Sequence, residues 1–157
     1  MKTIKIGFSK SKKFLAIGSW VIREYMDTSY SHTYLVFTEE DLIYEAVGTG
    51  TRFISTPEWE NHAVEVKSYR ILISDQSYLE LKNYCESRVN VKYGFWQNLG
   101  IVIAEIFKLK KNPFNSGLNC SESVGRILIK EGYVISKNVN LLTPEDIYKV
   151  LESYYEN

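Results

Sequence analysis

Two runs rich in β-branched and aromatic residues, SHTYLVF (Ser31–Phe37) and LIYEAV (Leu42–Val47), are separated by the four polar residues TEED. That pattern specifies an antiparallel hairpin. If TEED is the whole loop, Phe37 pairs with Leu42 and Tyr34 with Glu45. His32 and Glu45 then share a face as diagonal neighbours, roughly 7–8 Å apart at the backbone. A slip of two residues would set them opposite each other, whereas a slip of one would send them to opposite faces. Glu45 is the odd member, a carboxylate inside an otherwise apolar strand, and such groups are seldom buried without a partner. Two readings stand. Either a histidine partners it and is oriented by it, or Glu45 faces solvent on an edge strand and pairs with a lysine.

The other elements follow from similar patterns. TIKIGFS alternates as a short strand, and SKSKK reads as a polar, basic connection. Phe14–Met26 predicts a helix with Phe14, Ile17, Val21 and Tyr25 on one face. Gly48–Gly50 punctuates a further strand, TRFIS, and STPEWE predicts a brief helical turn with Pro57 at its first position. AVEVKSYRI alternates as the last strand. From there the chain turns helical. Asp75–Val89 places Tyr78, Leu81, Cys85 and Val89 on one face, and Trp96–Leu109 is strongly apolar and reads as a plain core helix. KKNPFNSG is a loop, and Cys120–Lys130 is a helix. Thr143 and Pro144 open the final helix as N-cap and first residue. Strands early and helices late give an α+β class in one domain spanning residues 1–157.

Nineteen basic and nineteen acidic residues cancel, so nucleic acid is not the expected partner. The N-terminus lacks the pattern of a signal peptide. The longest apolar run, GIVIAEIF, is interrupted by Glu105 and falls far short of the ~20 residues of a membrane span. A soluble protein is expected, cytoplasmic or released without a signal peptide, with membrane contact not expected. The two cysteines, Cys85 and Cys120, are expected to be free thiols.

Cys120 falls at the start of its helix. Asn119 is a good N-cap and Glu122 follows three residues later, close to a capping box. The unpaired N–H groups and partial positive charge of a helix N-terminus stabilise a thiolate and can hold an oxyanion. The other reading is packing alone, because Cys120, Val124 and Ile127 share a face and cysteine is often buried. A nucleophile also needs a base, and the chain has two histidines. His62 sits beside a polar turn and reads as a surface residue, which leaves His32.

In their order along the chain these motifs resemble a family. Tyr30-Ser31-His32 after a helix, an acid on the next strand, Cys120-Ser121-Glu122, and Thr143-Pro144 with Asp146 are similar to motifs of the circularly permuted NlpC-like cysteine peptidases, the YiiX-like group. The resemblance implies a permuted papain-like fold, a small antiparallel sheet or barrel packed against helices. It implies Cys120 as nucleophile, His32 as base and Glu45 as orienting residue, with no metal or cofactor. Tyr30 and Tyr93 are candidates to line the cleft. The implied activity is hydrolysis of an amide, such as a peptide or a bacterial cell-wall peptide in peptidoglycan, in a bacterial or phage context. The alternatives on the same fold are a catalytically silent binding module and an acyl-directed transferase or esterase, for which the apolar segment FWQNLGIVIAEIF would line an acyl pocket or meet a membrane surface instead of forming a plain core helix.

Overall fold

Leu35 faces Tyr44, Val36 faces Ile43 and Phe37 faces Leu42 in the computed structural model, so TEED is the whole loop. Its last residue, Asp41, turns the chain with a φ of 52°, a left-handed conformation that aspartate tolerates better than most side chains. The structure describes residues 1–12, 29–92, 94–114 and 117–155. The helix expected over Phe14–Met26 lies outside them.

Five strands form one antiparallel sheet: β1 (Lys2–Ser11), β2 (His32–Phe37), β3 (Leu42–Val47), β4 (Gly50–Ser55) and β5 (Ala63–Ile73). Their order is β4-β3-β2-β1-β5, with β4 and β5 at the edges. β1 outruns its apolar core. Lys10 and Ser11 pair with Val64 and Ala63, so much of the basic SKSKK segment is strand rather than connection. Val47 pairs with Gly50 across a tight turn, and the φ of 124° at Gly50 is one that glycine alone adopts without penalty.

Each face of the sheet buries a different set of side chains. Ile4, Ile6, Phe8, Leu35, Phe37, Tyr44, Ile71 and Ile73 form the larger core. Helices cover it: α2 (Asp75–Glu86) with Tyr78, Leu81 and Cys85; α4 (Cys120–Lys130) with Val124, Ile127 and Leu128; α5 (Pro144–Tyr155) with Ile147 and Leu151. Each such side chain contributes about 1.5–3 kcal/mol on full burial, so this face supplies most of the stability. α2 ends at Glu86, which leaves Val89 exposed beyond the helix rather than on its apolar face. The opposite face holds a smaller cluster of Tyr34, Val36, Ile43, Ile54, Trp59 and Ala63. Trp59 comes from the five-residue helix α1 (Thr56–Glu60).

Two helix starts act as expected. Thr143 and Asp146 bond reciprocally at the head of α5: Asp146 N–H donates to Thr143 Oγ1 (3.2 Å), and Thr143 N–H donates to Asp146 Oδ2 (2.8 Å). Asn119 Oδ1 accepts from Glu122 N–H at 2.7 Å. The helix between α2 and α4, α3 (Phe95–Ile106), departs from the plain core helix expected. Gln97, Gly100, Ile101 and Ala104 are buried, while Trp96, Leu99 and Ile106 are exposed.

Gly7 pairs with Tyr34 across β1 and β2, and a Cβ at Gly7 would lie 2.2 Å from Tyr34 Cζ. The tyrosine ring therefore lies across the glycine, and it also packs 4.6 Å from Trp59 and 6.2 Å from His32 between ring centroids. Gly7→Ala displaces that ring. Thermal and urea unfolding should show a loss of about 1–3 kcal/mol, as for overpacking in a core. An unchanged midpoint would mean the ring has room to move.

Candidate active site

The hairpin register brings His32 and Glu45 together. His32 Nε2 lies 3.0 Å from Glu45 Oε2. Glu45 is only 2% exposed, and the His32 side chain 19%. The solvent-facing reading of Glu45 is thereby excluded. Three further contacts hold the carboxylate. Arg52 donates to Oε1 through Nε (2.9 Å) and Nη2 (2.7 Å), and Trp59 Nε1–H donates to Oε2 at 3.2 Å. Arg52 stands directly opposite Glu45 in the β3–β4 ladder, which aims its fork at one oxygen while His32 takes the other.

Cys120 is buried at the first position of α4, directly after the Asn119 cap. α4 lies against β2 and β3. The His32 imidazole and the backbone N–H of Thr33 lie near enough to the Cys120 sulfur to lower the thiol's pKa. Because Nε2 of His32 faces Glu45, Nδ1 is the nitrogen left for the sulfur. Ser121 Oγ is 3.9 Å from the sulfur. Sulfur, imidazole and carboxylate thus line up, with a helix N-terminus behind the sulfur.

The electrostatics follow the geometry. Burial opposes ionisation of Cys120, but the charge and hydrogen bond of His32, with the Thr33 N–H, overturn that and lower the thiol's pKa. Burial likewise opposes the imidazolium, and the Cys120 thiolate and Glu45 carboxylate outweigh it, raising His32. Glu45 would be raised by burial, yet His32 and Arg52 bring it down from 4.5 to about 2. The neutral pair is therefore disfavoured against thiolate and imidazolium. Cys85 is the internal contrast: it is wholly buried in the α2 face, and burial pushes its thiol up.

Sequence reasoning missed Arg52 and Trp59, and placed His62 at the surface without a role. His62 is half-buried, with Nε2 3.2 Å from Arg52 Nη2 and 3.9 Å from Glu45 Oε1. The alternation of β3 and β4 would have found Arg52, given the two-residue turn at Gly48 and Thr49. The Asn119 cap forms, but Glu122 does not complete a capping box. Its Oε1 accepts from Arg126 Nε at 3.0 Å and its Oε2 from the Gln97 amide, which ties α4 to α3. Tyr30 is placed in the core, its ring 5.1 Å from Phe8 and its hydroxyl donating to Glu145 Oε2 at 2.6 Å. Tyr93 lies outside the described residues. Among those residues no cluster of three or more His, Cys, Asp or Glu side chains is placed to hold a metal ion.

Thiol alkylation tests the pair. Cys120 should react at pH values well below those an ordinary thiol needs, and His32→Ala should remove that low-pH reactivity. Cys85 should label only after unfolding. The depressed Glu45 carboxyl has a second consequence. Its stabilisation is fully present above the unfolded value of 4.5 and is lost as pH falls through about 2. The amount is about 3 kcal/mol. Acid unfolding followed by circular dichroism should be steep across that window and flatter in Glu45→Gln.

No known protein-family model, curated protein or solved structure matches this chain, so its chemistry is read from the site itself.

Proposed function

We propose that this protein is a cysteine hydrolase that cleaves an amide bond through a thioester acyl-enzyme, on a circularly permuted papain-like arrangement. The observation that carries the reading is the line from a buried sulfur at a helix N-terminus, through an imidazole, to a buried carboxylate. Burial of a carboxylate with four donors is costly to assemble, and its use is to fix the tautomer and orientation of His32. The order along the chain, histidine before cysteine, is that of the permuted group. A peptide is the substrate class proposed, cell-wall peptide included.

The chemistry runs in two halves. The Cys120 thiolate attacks the substrate carbonyl carbon, and the carbonyl oxygen takes the negative charge. The Cys120 N–H, at the head of α4 where a helix leaves such groups without intrahelical partners, donates to that oxygen. The His32 imidazolium passes its proton to the leaving nitrogen, the C–N bond breaks, and the amine departs. Water then gives a proton to His32 and attacks the thioester carbon. The C–S bond breaks, releasing the carboxylic acid and the thiolate. Glu45 keeps its charge throughout and stabilises the imidazolium between transfers.

A panel of peptide amides and activated thioesters, read with mass spectrometry of the intact protein, tests this. An acyl adduct should map to Cys120. Cys120→Ala should lose turnover, and His32→Ala should lose about 10²–10⁴-fold in kcat/KM. Turnover that survives in Cys120→Ala would sink the proposal.

A further inference from the structure

α3 carries more apolar surface than the other described residues cover. Trp96, Leu99, Ile103 and Ile106 recur at helical spacing and form one stripe on the side away from Gln97, Ile101 and Ala104. Trp96 is 59% exposed, Ile106 60% and Phe107 69%. Leu109 and Phe114 extend the surface, and the Phe114 ring lies 6.2 Å from that of Trp96. A helix that is apolar nearly all round is ordinarily buried, and contiguous exposed apolar surface marks a contact site.

The charges beside the stripe are of one sign. Lys108, Lys110 and Lys111 are exposed at its C-terminal end, and among the described residues none of them makes an ion pair. The acid on this helix, Glu105, is already paired with Lys137 at 2.5 Å. Lys108 also takes a φ of 52° in the loop that ends α3. There Lys108 N–H donates to Glu105 O and Leu109 N–H to Ala104 O, a helix stop at which glycine is the usual residue. The fold thus holds a cation, at some cost, at the end of an exposed apolar stripe.

We propose that this face docks on an anionic lipid bilayer. α3 has twelve residues, too few to span a bilayer, so it lies in the interface plane with the stripe inserted and the lysines at the headgroups. A second copy of the chain fits less well, because a two-fold contact through this face would set lysines against lysines. An acidic protein would need a groove shaped to a protruding helix, whereas a lipid surface conforms to it. The face is joined to the candidate active site: Gly94 N–H donates to Leu118 O at 3.2 Å, two residues before Cys120, and Gln97 bonds Glu122 of α4. Docking would therefore hold the start of α4 near the membrane. The surface does not depend on the catalytic reading.

Vesicle co-sedimentation separates the outcomes. The protein should sediment with phosphatidylcholine–phosphatidylglycerol vesicles and much less with phosphatidylcholine alone. Replacing Lys108, Lys110 and Lys111 by glutamine should weaken that partition roughly a hundredfold, at about fivefold per lysine. Ile106→Ser with Phe107→Ser should abolish it, and brominated acyl chains should quench emission in the wild type but not after Trp96→Phe. Cys120→Ala should bind as the wild type does, which keeps this test apart from the catalytic one. Failure to bind phosphatidylglycerol vesicles at low salt would overturn the proposal. So would unchanged binding by the glutamine variant, or a dimer in analytical ultracentrifugation that Ile106→Ser and Phe107→Ser dissociate.

Discussion

The candidate site depends on the burial of one carboxylate. An ionised glutamate deep in a sheet is tolerated only when its lone pairs are filled and its charge is met. Glu45 meets both conditions through His32, Arg52 and Trp59, which arrive from β2, β4 and α1. Three separate elements must therefore be in register before the charge is tolerable. A single-residue slip in either hairpin would carry Glu45 away from His32 or Arg52 and leave it unpaired. The constraint that builds the site thus also helps specify the fold.

Arg52 has a less obvious effect. It shares Glu45 with His32, so the carboxylate is not free to take the imidazolium's proton, and its depressed pKa keeps it a charge rather than a base. The half-exposed guanidinium also neutralises the carboxylate from the solvent side. The result is an acid that orients and stabilises without exchanging protons. That division of labour suits the proposed chemistry, in which His32 alone would move the proton.

Much of this was legible from particular residues. TEED fixed the hairpin length, the hairpin length fixed the register, and the misfit of Glu45 in an apolar strand pointed at His32. Asn119 marked the start of α4 correctly. Arg52 was legible only once the two-residue turn at Gly48 and Thr49 set the β3–β4 register, and Trp59 not at all. One requires the β3–β4 ladder to be in a given register, and the other a five-residue helix to swing its indole under the sheet. Glu122 misled for a related reason. Its spacing from Asn119 fits a capping box, but Arg126 one turn on and Gln97 across the interface compete better for the carboxylate. α3 was read as core because periodicity fails when both faces of a helix are apolar, and only the packed structure tells which is covered.

The two faces of the sheet carry unequal loads, and that inequality explains where chemistry is possible. The helix-covered face holds the large apolar core, so it can carry the stability of the chain without polar groups. The small cluster around Tyr34 and Trp59 is then free to accommodate Glu45 and, beside it, the partly exposed His32, Arg52 and His62. Cys120 bridges the two, since its helix is anchored in the large core by Val124, Ile127 and Leu128 while its first turn reaches the edge of the polar cluster. A thiol placed deeper along that helix would share the fate of Cys85, buried and inert. Placed at the first turn, it meets an imidazole, a strand N–H and the positive end of a helix at once, and those three together overcome the burial that would otherwise silence it.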